Sequence, residues 1–164
     1  MEDLIVYYSL EGNTDYAAQR IKEKLGAHMR RLEPVKPFSN KGLSKFFWGG
    51  KAAIMAEKPD LTDYNVDFSR FDRIIFGFPV WASTFAPPLR TFIEENREGL
   101  AGKRFAAFAC QSGSGAEKAL AKLEKCVGET AFEQTAVFID PMAKQSKETD
   151  EKIDAFADAL KQTD

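Results

Sequence analysis

Two cysteines and one histidine are all the 164-residue chain contains of either residue. Cys110 and Cys126 match no metal or redox spacing, and two thiols do not build a disulfide framework. Cys110 closes an apolar segment and Cys126 lies late in an expected helix, so both read as buried thiols. With His28 alone, no His-pair metal site exists and no serine or cysteine has an evident acid–base partner. Charge of one sign is lacking too. Lys and Arg number 23 against 25 Asp and Glu, a net charge of -2, and the basic residues form no stripe. That balance argues against nucleic acid and against anionic membranes as partners. The opening Met-Glu-Asp-Leu-Ile-Val-Tyr-Tyr-Ser has no basic leader and too short an apolar run for a signal peptide. No stretch has the length of a membrane-spanning helix. The expectation is a cytoplasmic protein.

Aromatic side chains are plentiful, with 14 Phe placed mostly inside apolar periodic segments. Together with 44% hydrophobic and 29% charged residues, they describe a chain able to bury a core, and residues 1–164 read as a single domain. Leu4 to Tyr8, Arg73 to Phe78 and Arg104 to Cys110 are near-continuous apolar runs, as expected of strands covered on both faces. Ala27 to Leu32 reads as a weaker strand near an edge, and Phe132 to Ile139 as a fifth. Between them, Ala17, Ala18, Ile21 and Leu25 recur at helical spacing, as do Leu89, Phe92 and Ile93, then Ala119, Leu120 and Leu123. Ser146 is placed to cap a last helix carrying Ile153, Phe156, Ala157 and Leu160. Alternating strands and helices imply an α/β fold with an open, parallel, doubly wound sheet. Ligands of such sheets sit beyond the carboxyl ends of the strands. Residues 33 to 72 break the alternation. Within them, 41–56 suggests an amphipathic helix through Leu43, Phe46, Phe47 and Ile54, covering the sheet in preference to offering Phe46, Phe47 and Trp48 to a partner.

Three loops follow strong strands and therefore share one end of the sheet. The first is Ser9-Leu10-Glu11-Gly12-Asn13-Thr14. A phosphate there would meet successive backbone N–H groups and the positive end of a helix dipole. Gly12 permits a tight turn, Glu11 should point outward, and the absence of Lys and Arg excludes a Walker-type site. Taken alone, the loop is equally well an ordinary capped turn. The second, Pro79-Val80-Trp81-Ala82-Ser83-Thr84-Phe85-Ala86-Pro87-Pro88, carries a tryptophan that either flanks a planar ligand or seals the core. The third, Gln111-Ser112-Gly113-Ser114-Gly115, has two glycines that let backbone approach a ligand. Ser112 or Ser114 as a hydrolytic nucleophile is disfavoured, because the glycine–serine segment is too short for a nucleophile elbow and His28 is a poor partner. A receiver-type signalling module would need acidic residues where Ile5-Val6-Tyr7-Tyr8-Ser9 stands.

Tyr8-Ser9-Leu10-Glu11-Gly12-Asn13-Thr14 after an apolar strand resembles the phosphate loop of the flavodoxin family, and Pro79-Val80-Trp81 followed by Pro87-Pro88 resembles its second flavin loop. The resemblance implies a sheet of five parallel strands in the order 2-1-3-4-5 with FMN as cofactor. It places the phosphate on Ser9, Leu10, Glu11, Gly12, Asn13 and Thr14, and the isoalloxazine along Pro79, Val80, Trp81, Ala82 and Ser83. Gln111, Ser112, Gly113 and Gly115 would then approach its pyrimidine end. It further implies an electron carrier or a small FMN-dependent reductase, exchanging electrons with a partner protein or a small acceptor. Two departures bear on that choice: residues 111–115 contain no aromatic and residues 79–86 contain no glycine. Without glycine, a peptide flip in the second loop is costly, which leans the reading toward two-electron chemistry. No residue is assigned as acid, base, nucleophile or metal ligand. A non-redox signalling or ligand-binding module on the same fold is the alternative.

Overall fold

A computed structural model describes residues 2–39, 51, 55–128 and 131–163. Strands β1 (Glu2–Tyr7), β2 (His28–Arg31), β3 (Phe71–Trp81), β5 (Arg104–Gln111) and β6 (Thr135–Ile139) form a parallel sheet in the order β2-β1-β3-β5-β6. This is the expected 2-1-3-4-5 arrangement. One element is additional: β4 (Thr84–Phe85) folds back antiparallel on β3, pairing Val80 with Phe85 and Trp81 with Thr84. Among the described residues the helices are α1 (Asn13–Leu25), α2 (Pro87–Glu95), α3 (Arg97–Leu100), α4 (Ala116–Val127) and α5 (Lys147–Lys161), with a short 3-10 turn at Phe68–Arg70 leading into β3.

The period of two along β1 sorts its side chains between two cores. Leu4, Val6 and Tyr8 pack with Leu89, Phe92 and Leu123 on one face. Ile5 and Tyr7 pack with Ile21, Phe108, Phe156 and Leu160 on the other. Both faces are therefore apolar, which is why the central strands read as continuous hydrophobic runs. Gly26 stops α1 in the left-handed conformation, and Ser146 Oγ accepts the Thr149 N–H at 3.1 Å to start α5. Regular pairing of β6 begins at Thr135, later than the expected Phe132. Glu133 N–H and Gln134 C=O already bond to Phe105 and Ala107, while Phe132 turns its ring into the first core. In the irregular region, Pro34 bridges Leu61, and Thr91 Oγ1 donates to the Pro59 carbonyl. The expected helix over 41–56, with Phe46, Phe47 and Trp48, lies outside the described residues.

At the amino end of the sheet Arg73 is fully buried. Its guanidinium grips Asp3 through both oxygens, at 3.0 and 2.7 Å, and donates to the Leu160 carbonyl and to Thr163 Oγ1. This ties β1, β3 and the end of α5 together, far from the loops. Glu133 lies 3.5 Å from the same guanidinium, so removing Asp3 weakens the charge pairing without abolishing it. Asp3→Ala should therefore lower unfolding stability by about 1.5–3 kcal/mol in urea titration, the worth of hydrogen bonds to a charged group; a loss below about 1 kcal/mol would contradict this role.

Candidate functional site

The tight turn between β1 and α1 begins with Ser9, which is buried. Its Oγ accepts the N–H groups of Gly12 and Asp15, both at 3.2 Å. Gly12 sits at φ 102, a conformation that calls for glycine, and the flexible end of the exposed Met142 side chain lies over it. With Asp15 satisfied, the N–H groups of Asn13 and Thr14 remain at the helix N-terminus without intrahelical acceptors. The Thr14 hydroxyl is buried and, among the described residues, has no oxygen or nitrogen partner, with only the Cys110 thiol close by. A buried hydroxyl left unpaired costs about 1–3 kcal/mol, so it is a group awaiting an acceptor or donor. Glu11 is exposed, as expected. Asn13 departs from expectation: its Oδ1 accepts from Met142 N and Ala143 N at 2.9 and 3.1 Å. Its side chain thus ties the first loop to the chain beyond β6, because a helix N1 side chain can reach a neighbouring turn whose N–H groups are free. Arg31, from β2, donates to the Ser9 carbonyl at 3.1 Å, yet it is paired with Glu33 and Asp15. The turn therefore carries no unopposed cation.

The second loop is a hairpin. Strand β3 runs on to Trp81, and Ala82 and Ser83 alone make the turn, at φ 50 and 55. Two central residues at positive φ define a type I′ turn, normally the province of Asn-Gly. Three contacts hold the strained pair. A Cβ on Gly115, itself at φ 102, would lie 2.5 Å from Ser83 Oγ, so the third loop packs directly on the turn. Lys122 Nζ donates to Thr84 Oγ1 at 2.7 Å, and Thr84 Oγ1 donates to the Ala82 carbonyl at 3.3 Å. Trp81 makes edge-on contacts with Tyr8 and Phe38, at centroid distances of 5.7 and 5.1 Å. Burial raises the Tyr8 hydroxyl well above its ordinary pKa. Trp81 is half-buried, packed on the core on one side and lining the cleft on the other.

In the third loop, Gln111 Oε1 accepts the Ala116 N–H at 2.9 Å and caps α4 in place of the N-cap Gly115. Ser112 Oγ donates to Asp140 Oδ1 at 2.5 Å. Asp140 stands one residue past β6, buried, at φ 42, with Lys144 Nζ 2.8 Å away. Burial pushes the Cys110 thiol up to about 12, with Thr14 nearby opposing the shift and the Asp140 charge adding to it. Cys110 is thus an inert thiol in the cleft floor.

Together the loops enclose a cleft of about 420 Å³. That volume lies within the range of small-ligand sites. Of the residues expected from sequence, Ser9, Leu10, Glu11, Asn13, Thr14, Pro79, Val80, Trp81, Ala82, Gln111, Ser112 and Gly113 line it. Gly12, Ser83 and Gly115 stand behind it, shaping the turns. Cys110, Ser114 and Asp140 line it without having been singled out as site residues. Asp140 had one available signal, its place immediately after the last strand. His28 lies at the other end of the sheet with Glu2 and Arg70, which removes any serine–histidine pairing.

A family model described as Flavodoxin matches residues 2–153. Among solved structures, a flavoprotein in complex with FMN from Lactobacillus acidophilus superposes with a TM-score of 0.74 at 19% identity, covering 95% of this chain and 98% of its own. The oxidised flavodoxin 2 of Bacillus cereus gives 0.61 at 19%, and a Streptococcus flavodoxin 0.57 at 18%, each over 100% of both chains. No curated protein sequence matches.

The strained turn and its glycine neighbour predict opposite responses. Ser83→Gly should stabilise the protein by about 1 kcal/mol by relieving positive φ. Gly115→Ala should destabilise it by about 2 kcal/mol or more, through strain and overlap with Ser83. Thermal unfolding reads both; equal signs would contradict the packing described.

Proposed function

The chain belongs to the flavodoxin family, and from that premise we propose that it binds FMN non-covalently in this cleft and works as a redox protein. The observation that carries the reading is the Thr14 hydroxyl, buried without an oxygen or nitrogen partner among the described residues, beside the open N–H groups at the start of α1. A terminal phosphate satisfies those groups and suits the positive end of the helix dipole. The residues present fit the cofactor at both ends: a polar turn without a competing cation for the phosphate, and the Trp81 face for a planar ring. Fold similarity alone carries no function.

When bound, FMN supplies the electron-transfer chemistry, and the protein supplies position and electrostatics. Ser9, Asn13 and Thr14 define the phosphate end. Pro79, Val80, Trp81 and Ala82 form an apolar wall that excludes water from one side. Ser112, Gly113 and Ser114 offer hydrogen-bonding groups opposite, and among the described residues no aromatic ring lines that side. Burial keeps Cys110 protonated, so its thiol takes no part as a base or nucleophile.

Between carrier and reductase, the second loop favours a small two-electron reductase acting on a diffusible acceptor. Ala82 and Ser83 are held in place by Gly115, and the turn is fastened by Lys122 through Thr84, which opposes the backbone rearrangement that one-electron shuttling exploits. Stepwise reduction should pass from the oxidised to the fully reduced spectrum through one set of isosbestic points. A strong long-wavelength band midway would restore the carrier role, with a protein as partner.

Two substitutions test the binding mode by fluorescence titration. Thr14→Val should weaken FMN by about 1–2 kcal/mol relative to riboflavin, the worth of a hydrogen bond to a charged group. Trp81→Ala should weaken both flavins alike, by about 1–3 kcal/mol. FAD should bind less tightly than FMN. Equal loss of FMN and riboflavin on Thr14→Val would remove the phosphate from this turn.

A further inference from the structure

The phosphate end of the cleft is short of positive charge and contains a buried negative one. Among the described residues that line the cleft are Glu11 and Asp140, and neither Lys nor Arg. Asp140 is 7% exposed, far more sequestered than Glu11. Its place at the phosphate end follows from three contacts. The segment just after it receives the Asn13 side chain through Met142 N and Ala143 N. The Met142 side chain covers Gly12. Cys110, against Thr14, feels the Asp140 charge. Lys144 Nζ lies 2.8 Å from the carboxylate, its side chain 66% exposed, and the Ser112 hydroxyl donates to the same group.

We propose that Asp140 and Lys144 are a charge pair that sets selectivity for the flavin phosphate, the carboxylate opposing the anion and the ammonium offsetting that opposition. The proposal rests on the FMN reading of the cleft. Its physical basis is that Coulomb interactions persist over several ångströms in a partly desolvated cleft. Ser112 and the left-handed backbone keep Asp140 in place, so its charge is fixed, whereas Lys144 lies on the surface with room to reorient. Discrimination between phosphorylated and unphosphorylated flavin then depends on a residue outside all three expected loops.

The geometry allows a clean charge removal. Asn tolerates the left-handed conformation that Asp140 adopts, and its Oδ1 can still accept from Ser112. Dissociation constants for FMN and riboflavin are measured on wild type, Asp140→Asn, Lys144→Met and the double variant, with thermal unfolding of each apoprotein as the folding control. Saturable binding of both flavins to the wild type establishes the underlying reading independently of the variants. Asp140→Asn should tighten FMN about five-fold with riboflavin unchanged. Lys144→Met should weaken FMN about five-fold, again sparing riboflavin. The double variant should return near the wild-type ratio, and high salt should compress all the differences. A ratio of FMN to riboflavin affinity unmoved by either single variant overturns the proposal. So does Asp140→Asn weakening both flavins equally, which would make the carboxylate an acceptor for a ligand hydroxyl.

Discussion

Ser9 Oγ accepts two backbone N–H groups, those of Gly12 and Asp15, and this pair of bonds closes the turn from β1 into α1. The consequences spread through the site. The bond to Asp15 satisfies one donor of the first helical turn and leaves Asn13 and Thr14 aimed at the cleft. The bond to Gly12 belongs to a turn that needs φ 102 at that residue, so glycine is obligatory. Thr14 is then carried inward, where its hydroxyl meets no oxygen or nitrogen partner among the described residues. Asn13 is carried sideways, where it fastens the chain after β6. That fastening brings Asp140 and Lys144 to the same end of the cleft. One serine hydroxyl therefore organises both the donors that suit an anion and the charges that modulate it.

The opposite wall is organised by strain. A two-residue hairpin built from Ala82 and Ser83 lacks the residues such turns prefer, so it persists only because surrounding contacts over-determine it. Gly115 and Lys122 supply those contacts from the third loop and α4. The second and third loops thus behave as one unit. The wall that carries Trp81 is rigid, and its chemistry is limited to apolar contact and fixed backbone dipoles. At the other end of the sheet the Asp3–Arg73 pair ties the strands together, away from the loops.

Much of this was legible in the sequence. Leu4 to Tyr8, Arg73 to Phe78 and Arg104 to Cys110 declared themselves because strands buried on both faces need no alternation. The first loop was legible because glycine, serine and threonine at a strand–helix junction carry local meaning. What escaped notice was non-local or locally unfavourable. Trp81-Ala82-Ser83-Thr84 has no hairpin signature, since its positive φ angles are imposed by neighbours rather than by its own preference. Asp140 is an unremarkable acid until the sheet places it beside Ser112, about 30 residues earlier in the chain. Asn13 read as a ligand group because its competing partners, Met142 and Ala143, are more than a hundred residues away. Phe38, behind Trp81, lay in the segment whose pattern was weakest.

The central claim is that the cleft between Thr14 and Trp81 is a site for FMN. The most direct measurement is the visible spectrum of the purified protein, with mass identification of whatever it releases on denaturation. The account predicts a flavin spectrum and a released compound with the mass of FMN. If the purified protein is colourless and fails to take up added FMN saturably, the account is contradicted.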